Sequence, residues 1–125
     1  MKTLLFLSAL LIPLLGFSQN HKTEFKVYGS CPMCETRIER AAKSAAGVNS
    51  AAWNLETQML TIEYDAGKVS LDDVHKKIAE SGHDTDKMRA RDEVYQSLPA
   101  CCRYERPSGN NIRPAVKEGG SCCTR

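Results

Sequence analysis

The chain has 125 residues, 42% of them hydrophobic, with 17 Lys and Arg against 15 Asp and Glu and a formal net charge of +2. That length holds one small domain plus extensions. The two signs of charge are interspersed as on an ordinary solvated surface, which argues against nucleic acid or an anionic membrane as partner.

Residues 1–18 read as a secretory signal. Lys2 supplies a positive start, Leu4 to Leu15 is almost wholly apolar, and Gly16 and Ser18 put small residues where a signal peptidase cuts. A membrane anchor is the competing reading, but the apolar run is short for a span and Pro13 interrupts it. Cleavage after Ser18 removes Lys2 and leaves sixteen basic against fifteen acidic residues, a net of +1. The expected mature protein is an exported, periplasmic or otherwise extracytoplasmic monomer, with no membrane insertion once the signal is gone.

Residues 24–28 (Glu-Phe-Lys-Val-Tyr) alternate, with Phe25 and Val27 on one face, and predict a half-buried strand. Gly29-Ser30 ends it. Pro32 suits the first turn of a helix, where its missing N–H costs nothing. Cys34, Ile38, Ala41 or Ala42, and Ala45 then recur at helical spacing until Gly47. Alternation returns from Val48 to Leu55, with Ala51, Trp53 and Leu55 on one side. It returns again through Leu60, Ile62 and Tyr64 after the polar break at 56–58, which reads as a hairpin. Ser70 with Asp73 forms a variant capping box for a second helix. That helix carries Leu71, Val74 and Ile78 as its stripe and stops at Gly82. A short fourth strand is expected at 83–88, where almost nothing is apolar. A further helix is expected from Asp86 or Lys87 to Ser97. Residues 106–121, with two prolines, three glycines and two asparagines, read as a flexible tail. Strand, helix, strand, strand, helix predicts an antiparallel sheet with both helices on one face, an α+β sandwich.

All six cysteines follow the signal, as three tight pairs: Cys31/Cys34, Cys101/Cys102 and Cys122/Cys123. Export favours disulfides, but pairs this tight suit metal binding or redox chemistry better than a disulfide framework. Cys31 and Cys34 fall at a strand-to-helix junction, where the helix N-terminus favours thiolate over thiol. Two thiolates are few for structural zinc. They suit Cu(I), and Hg(II) or another soft ion on the same logic. A two-ligand site on a surface loop is also open to a partner's cysteines, as transfer requires. The rival is a thiol-disulfide oxidoreductase, because Cys-Pro-x-Cys is a redox signature. The thioredoxin-like fold needs parallel crossover strands and a late proline, and no proline lies between Pro32 and Pro99. A secreted module stapled by disulfides is a third reading. Neighbouring cysteines close a strained ring when bonded to each other. Cys101 and Cys102, and likewise Cys122 and Cys123, therefore either add thiolates to a metal or cross-link to one another. Met33 reads as a loop residue without a ligand role, and His21 and His75 as surface residues.

The Gly-x-Cys-x-x-Cys loop at Gly29–Cys34, the element order and the Gly82-His83-Asp84 turn resemble the heavy-metal-associated domain family over about residues 23–88. That family includes copper chaperones, modules of copper-pumping ATPases and periplasmic mercury-scavenging proteins. The resemblance implies a ferredoxin-like βαββα(β) sandwich and non-enzymatic metal transfer by cysteine exchange. Its two ligands fall on Cys31 and Cys34, and its partner is a metal-transporting membrane protein or another metallochaperone. It also places His83 beside the metal loop as a candidate third ligand. The chain departs from the family at Gly29, where a core methionine is usual. The expected organisation is a signal peptide at 1–18, the metal-binding domain at 19–88, a helical extension with the Cys101/Cys102 pair at 89–105, and a flexible tail at 106–125. The expected function is that of an exported Cu(I) carrier or sequestering protein, with a periplasmic mercuric-ion scavenger as the alternative.

Overall fold

A computed structural model of the chain describes residues 18–108 and 113–114. The expected signal segment up to residue 17 and most of the expected tail, with Cys122 and Cys123, lie outside the described residues. β1 (Asn20–Lys26), β2 (Val48–Trp53) and β3 (Met59–Asp65) form an antiparallel sheet in the order β1-β3-β2. The register places Phe25 opposite Leu60, and Leu60 opposite Trp53. One apolar row therefore crosses all three strands, and burying that row fixes the register. α1 (Pro32–Lys43) and α2 (Leu71–Glu80) pack against each other, and their buried stripes join the sheet in a single core. The expected α+β sandwich is what forms.

The helix boundaries follow from local chemistry. Pro32 starts α1, and Arg40 and Lys43 in its last turn oppose the dipole. Cys34, Ile38, Ala41, Ala42 and Ala45 are all buried, as their spacing predicts. Ser70 accepts from the Asp73 N–H while the Asp73 carboxylate accepts from the Ser70 N–H, so the capping box is complete.

Three expectations are corrected. The hairpin strand β2 ends at Trp53, and Leu55 lies half-exposed in the turn. There Asn54 Oδ1 accepts from the N–H groups of Glu56 and Thr57, an Asx-type turn that stops the strand early. The helix expected over 86 or 87 to 97 is reduced to α3 (Asp92–Gln96). Ala90 is drawn out of helical geometry by its N–H bond to Asp84 Oδ1 (2.7 Å), and Arg91 is extended. His75 is fully buried, its ring centre 4.0 Å from that of Phe25 in a tilted contact, with Nδ1 2.8 Å from Thr85 Oγ1. It lies four residues after Leu71 and three before Ile78, on the inner face of α2.

The fourth strand shrinks to one antiparallel bridge, Val27 to Thr85, on the outer side of β1. Tyr28 N–H donates to the Asp84 carbonyl (2.8 Å), and Asp86 N–H to the Lys26 carbonyl (3.1 Å). Thr85 ends the strand, because its Oγ1 accepts from Met88 N–H (2.9 Å) and Lys87 N–H (3.2 Å) and turns the chain. β4 (Met88–Arg89) then leaves the main sheet and pairs in parallel with β5 (Arg113–Pro114).

Candidate metal centre

The first cysteine pair stands where β1 hands over to α1. Cys31 takes the N-cap position with extended backbone (φ −152°, ψ 164°), and Cys34 falls in the first turn, fully buried. Their sulfurs are 3.3 Å apart. Ser30 N–H points at Cys34 Sγ from 3.5 Å. The partial positive charge of the helix N-terminus acts on both sulfurs.

The loop is braced from beneath. A Cβ on Gly29 would meet Trp53 Cη2 at 2.9 Å and the Cys34 Cβ at 3.0 Å. The indole therefore fills the space beneath the loop, which gives the departure at Gly29 a physical cause. Trp53 Nε1–H donates to the Val27 carbonyl (3.0 Å), and Gln58 Nε2 donates to the Gly29 carbonyl (2.6 Å). The backbone entering the loop is thus tied twice to the β2–β3 hairpin.

The C-terminal extension closes over the other side. After α3, a single 3-10 turn at Ala100–Cys102 brings the second pair to the first. Cys102 is fully buried, with its sulfur 3.4 Å from Cys31 Sγ. Cys101 Sγ lies 4.0 Å from Cys102 Sγ and 3.6 Å from Met33 Sδ. The sulfurs of Cys31, Cys101 and Cys102 all lie within 4.8 Å of one another, and Cys34 adjoins the group through Cys31. None of these four cysteines is in a disulfide. Ser30 Oγ–H donates to the Cys101 carbonyl (2.9 Å), a direct tie between the two loops.

What holds the extension is a polar network that the sequence did not announce. Tyr104 OH accepts from the buried Asp84 N–H (2.6 Å) and donates to the Gly82 carbonyl (3.3 Å). Arg106 grips the fully buried Asp84 carboxylate with two bonds (2.8 and 2.7 Å), and also donates to the Ala90 carbonyl and to Asp92. Its guanidinium stacks 4.6 Å from the centre of the Tyr95 ring, whose hydroxyl donates to the Tyr104 carbonyl. Leu98 packs against Gly82, whose positive φ (+101°) lets the chain turn tightly there. Arg106, placed by sequence at the start of a flexible tail, is therefore held in the domain. The only sequence signals were an acid directly after Gly-His and a Tyr-x-Arg after the cysteines.

His83 is fully buried. Its Nδ1–H donates to the Tyr28 carbonyl (2.9 Å), and its ring stacks on Tyr104. Nε2 has no hydrogen-bond partner among the described residues. Burial, with Arg37 nearby, lowers its pKa and keeps the ring neutral, against the pull of the Tyr28 carbonyl and Asp84. The three-sulfur group does not include His83.

The thiols differ in character. Burial pushes the Cys31 thiol up, but hydrogen bonds from the Cys34 side chain and backbone and from the Cys102 and Cys101 thiols outweigh it. Its pKa falls to about 7. Burial, and next the neighbouring Cys31 and Cys34 sulfurs, raise that of Cys102 well above the usual thiol range. Cys31 is thus the more readily ionised thiol and Cys102 the one that keeps its proton, in a group of soft sulfur donors that suits a soft cation.

The family model for the heavy-metal-associated domain matches residues 25–84. The copper chaperone CopZ of Staphylococcus aureus is 34% identical over 55 residues, which cover 44% of this chain and 81% of that protein. A copper-exporting P-type ATPase of Staphylococcus saprophyticus is 38% identical over 66 residues; these span 52% of this chain but only 8% of the ATPase. The solved structure of a CopZ metallochaperone superposes with a TM-score of 0.50 at 32% identity, over 52% of this chain and 98% of that one.

Proposed function

The chain belongs to the heavy-metal-associated domain family, and from that premise we propose that it is an exported Cu(I)-binding protein that carries or sequesters the ion. One observation carries the reading. Cys31 and Cys34 present two sulfurs 3.3 Å apart at the N-terminus of α1, one half-buried and one fully buried, with the Cys31 thiol poised to ionise near neutral pH. Soft thiolates select Cu(I) over harder divalent ions. The copper in the names of the chaperone and the ATPase supports the same ion. Uptake and release are ligand exchange without a catalytic step. An incoming cysteine of a metal-transporting membrane protein or a second metallochaperone adds to the ion as one sulfur of this chain leaves. The apolar run at Leu4–Leu15, followed by small residues, supports export.

Anaerobic titration of the reduced protein with Cu(I) against a competing chelator tests the site. The Cys31→Ser/Cys34→Ser variant is expected to lose at least a hundredfold in affinity. Equal affinity in the two proteins would take the pair out of the mechanism. Cell fractionation tests export: processed protein outside the cytoplasm supports the reading, and full-length protein inside it refutes it.

A further inference from the structure

We propose that the C-terminal extension completes the metal centre. The Cys101/Cys102 pair supplies sulfur to the ion held by Cys31 and Cys34, turning an open two-thiolate loop into a closed centre of three or more sulfurs. The inference rests on the Cys31/Cys34 reading and adds to it a retention device that the matched segment, residues 25–84, does not contain.

The spacing of the sulfurs carries the proposal. With metal–sulfur bonds of about 2.3 Å, two sulfurs stand about 4.6 Å apart across a linear site, about 4.0 Å in a trigonal one and about 3.8 Å in a tetrahedral one. Here Cys31 Sγ is 3.3 Å from Cys34 and 3.4 Å from Cys102, and Cys102 is 4.0 Å from Cys101. All three lie well inside the linear span; the Cys101–Cys102 separation matches the trigonal edge, and the two separations from Cys31 are shorter than either edge. The sulfurs are gathered for more than two-fold coordination before any ion arrives.

The second support is the rigidity of the extension. A pair of cysteines on a loose tail would sample many positions and lose entropy on binding. This pair is fixed by the Ser30 hydroxyl, by Tyr104 on Asp84 and Gly82, and by the buried Arg106–Asp84 pair. Cys102 is fully buried without a disulfide or an ordered hydrogen-bonding role beyond the sulfur group. Met33, half-exposed with its thioether 3.6 Å from Cys101, extends the soft surface outward toward an incoming partner.

The consequence is functional. A partner that takes the ion from a two-sulfur loop attacks an open site. A partner that takes it from this one must first displace the extension's sulfur, so release is slower and the chain retains its cargo.

The decisive measurement is X-ray absorption at the copper edge on the reduced protein loaded with one equivalent of Cu(I). It is made in a Cys122→Ser/Cys123→Ser background, which keeps the tail thiols out of the count. Three or more sulfurs per copper are expected. Two sulfurs would overturn the proposal, and this reading needs no further variant to fold. In the same background, Cys101→Ser/Cys102→Ser is expected to drop to two sulfurs and to release copper to a chelator at least tenfold faster. An unchanged sulfur count and release rate in that variant would also overturn it. Failure of the underlying reading looks different: Cys31→Ser/Cys34→Ser would then bind Cu(I) as tightly as the parent.

Discussion

Replacing Arg106 by methionine tests whether the extension is locked to the domain by its ion pair. Asp84 is fully buried, and Arg106 satisfies its carboxylate with two bonds of 2.8 and 2.7 Å; the arginine side chain itself is only 11% exposed. Removing one member of a buried pair leaves an unpaired charge, typically at a cost of 3–5 kcal/mol. Asp84 keeps its bond from Ala90 N–H (2.7 Å), which places the expected loss at the lower end, about 3 kcal/mol. The contact to Asp92, 72% exposed, adds little. With a urea m-value of about 1.5 kcal/mol/M for a domain of this size, the unfolding midpoint should fall by about 2 M. A second readout separates local from global effects. The Cys102 thiol, buried in the native protein, should react with an aromatic disulfide reagent markedly faster in Arg106→Met under conditions where the domain is still folded. The double variant Arg106→Met/Asp84→Asn should recover part of the lost stability, because no charge is then left buried without a partner. A single variant within 0.5 kcal/mol of the parent, with Cys102 still protected, would refute the account of how the extension is held.

The other predictions concern the loop and the core. Gly29→Ala should destabilise by about 1–3 kcal/mol through overpacking against the Trp53 indole; the penalty should shrink in a Trp53→Phe background, as urea unfolding of the four proteins would show. His75 is held neutral by burial, with Lys87 adding to the effect and Asp86 and Asp72 opposing it, so its pKa falls from 6.5 to about 4. The unfolded chain then binds the extra proton first as pH falls, so stability is full above about 6.5 and is lost toward 4, by on the order of 3 kcal/mol. His75→Leu should flatten that limb of a stability–pH curve, and parallel curves would refute the assignment. The alkylation rate of Cys31 in the metal-free protein should titrate with a midpoint near pH 7, and Cys102→Ser should move that midpoint upward by removing one of the thiols that hydrogen-bond to it.

The elements that position the first cysteine pair were legible because their signals are local. Pro32, the Ile38 and Ala42 stripe, the Ser70–Asp73 box and the alternation of Leu60 and Ile62 each act within a few residues. The structure places each where its spacing predicts. The fourth strand was legible as weak for the same reason, and Thr85 explains why it is a single bridge. His75 was misread because a polar residue on a helix defaults to the surface, although its spacing from Leu71 and Ile78 placed it inward.

What the sequence withheld is non-local. Cys102 lies 71 residues from Cys31, and nothing in Leu-Pro-Ala-Cys-Cys says which way the turn faces. The answer sits in Asp84 and Arg106, 22 residues apart, two charges that in sequence resemble every other surface charge. An acid buried at the edge of the sheet requires a cation. The arginine that supplies it pulls the segment before it across the metal loop, with Tyr104 as the second anchor on the same turn. The electrostatic need of one buried carboxylate thereby decides where two sulfurs stand. On this reasoning the extension and the Asp84 turn form one unit, and a change that removes Asp84 should loosen Cys101 and Cys102 without touching either cysteine.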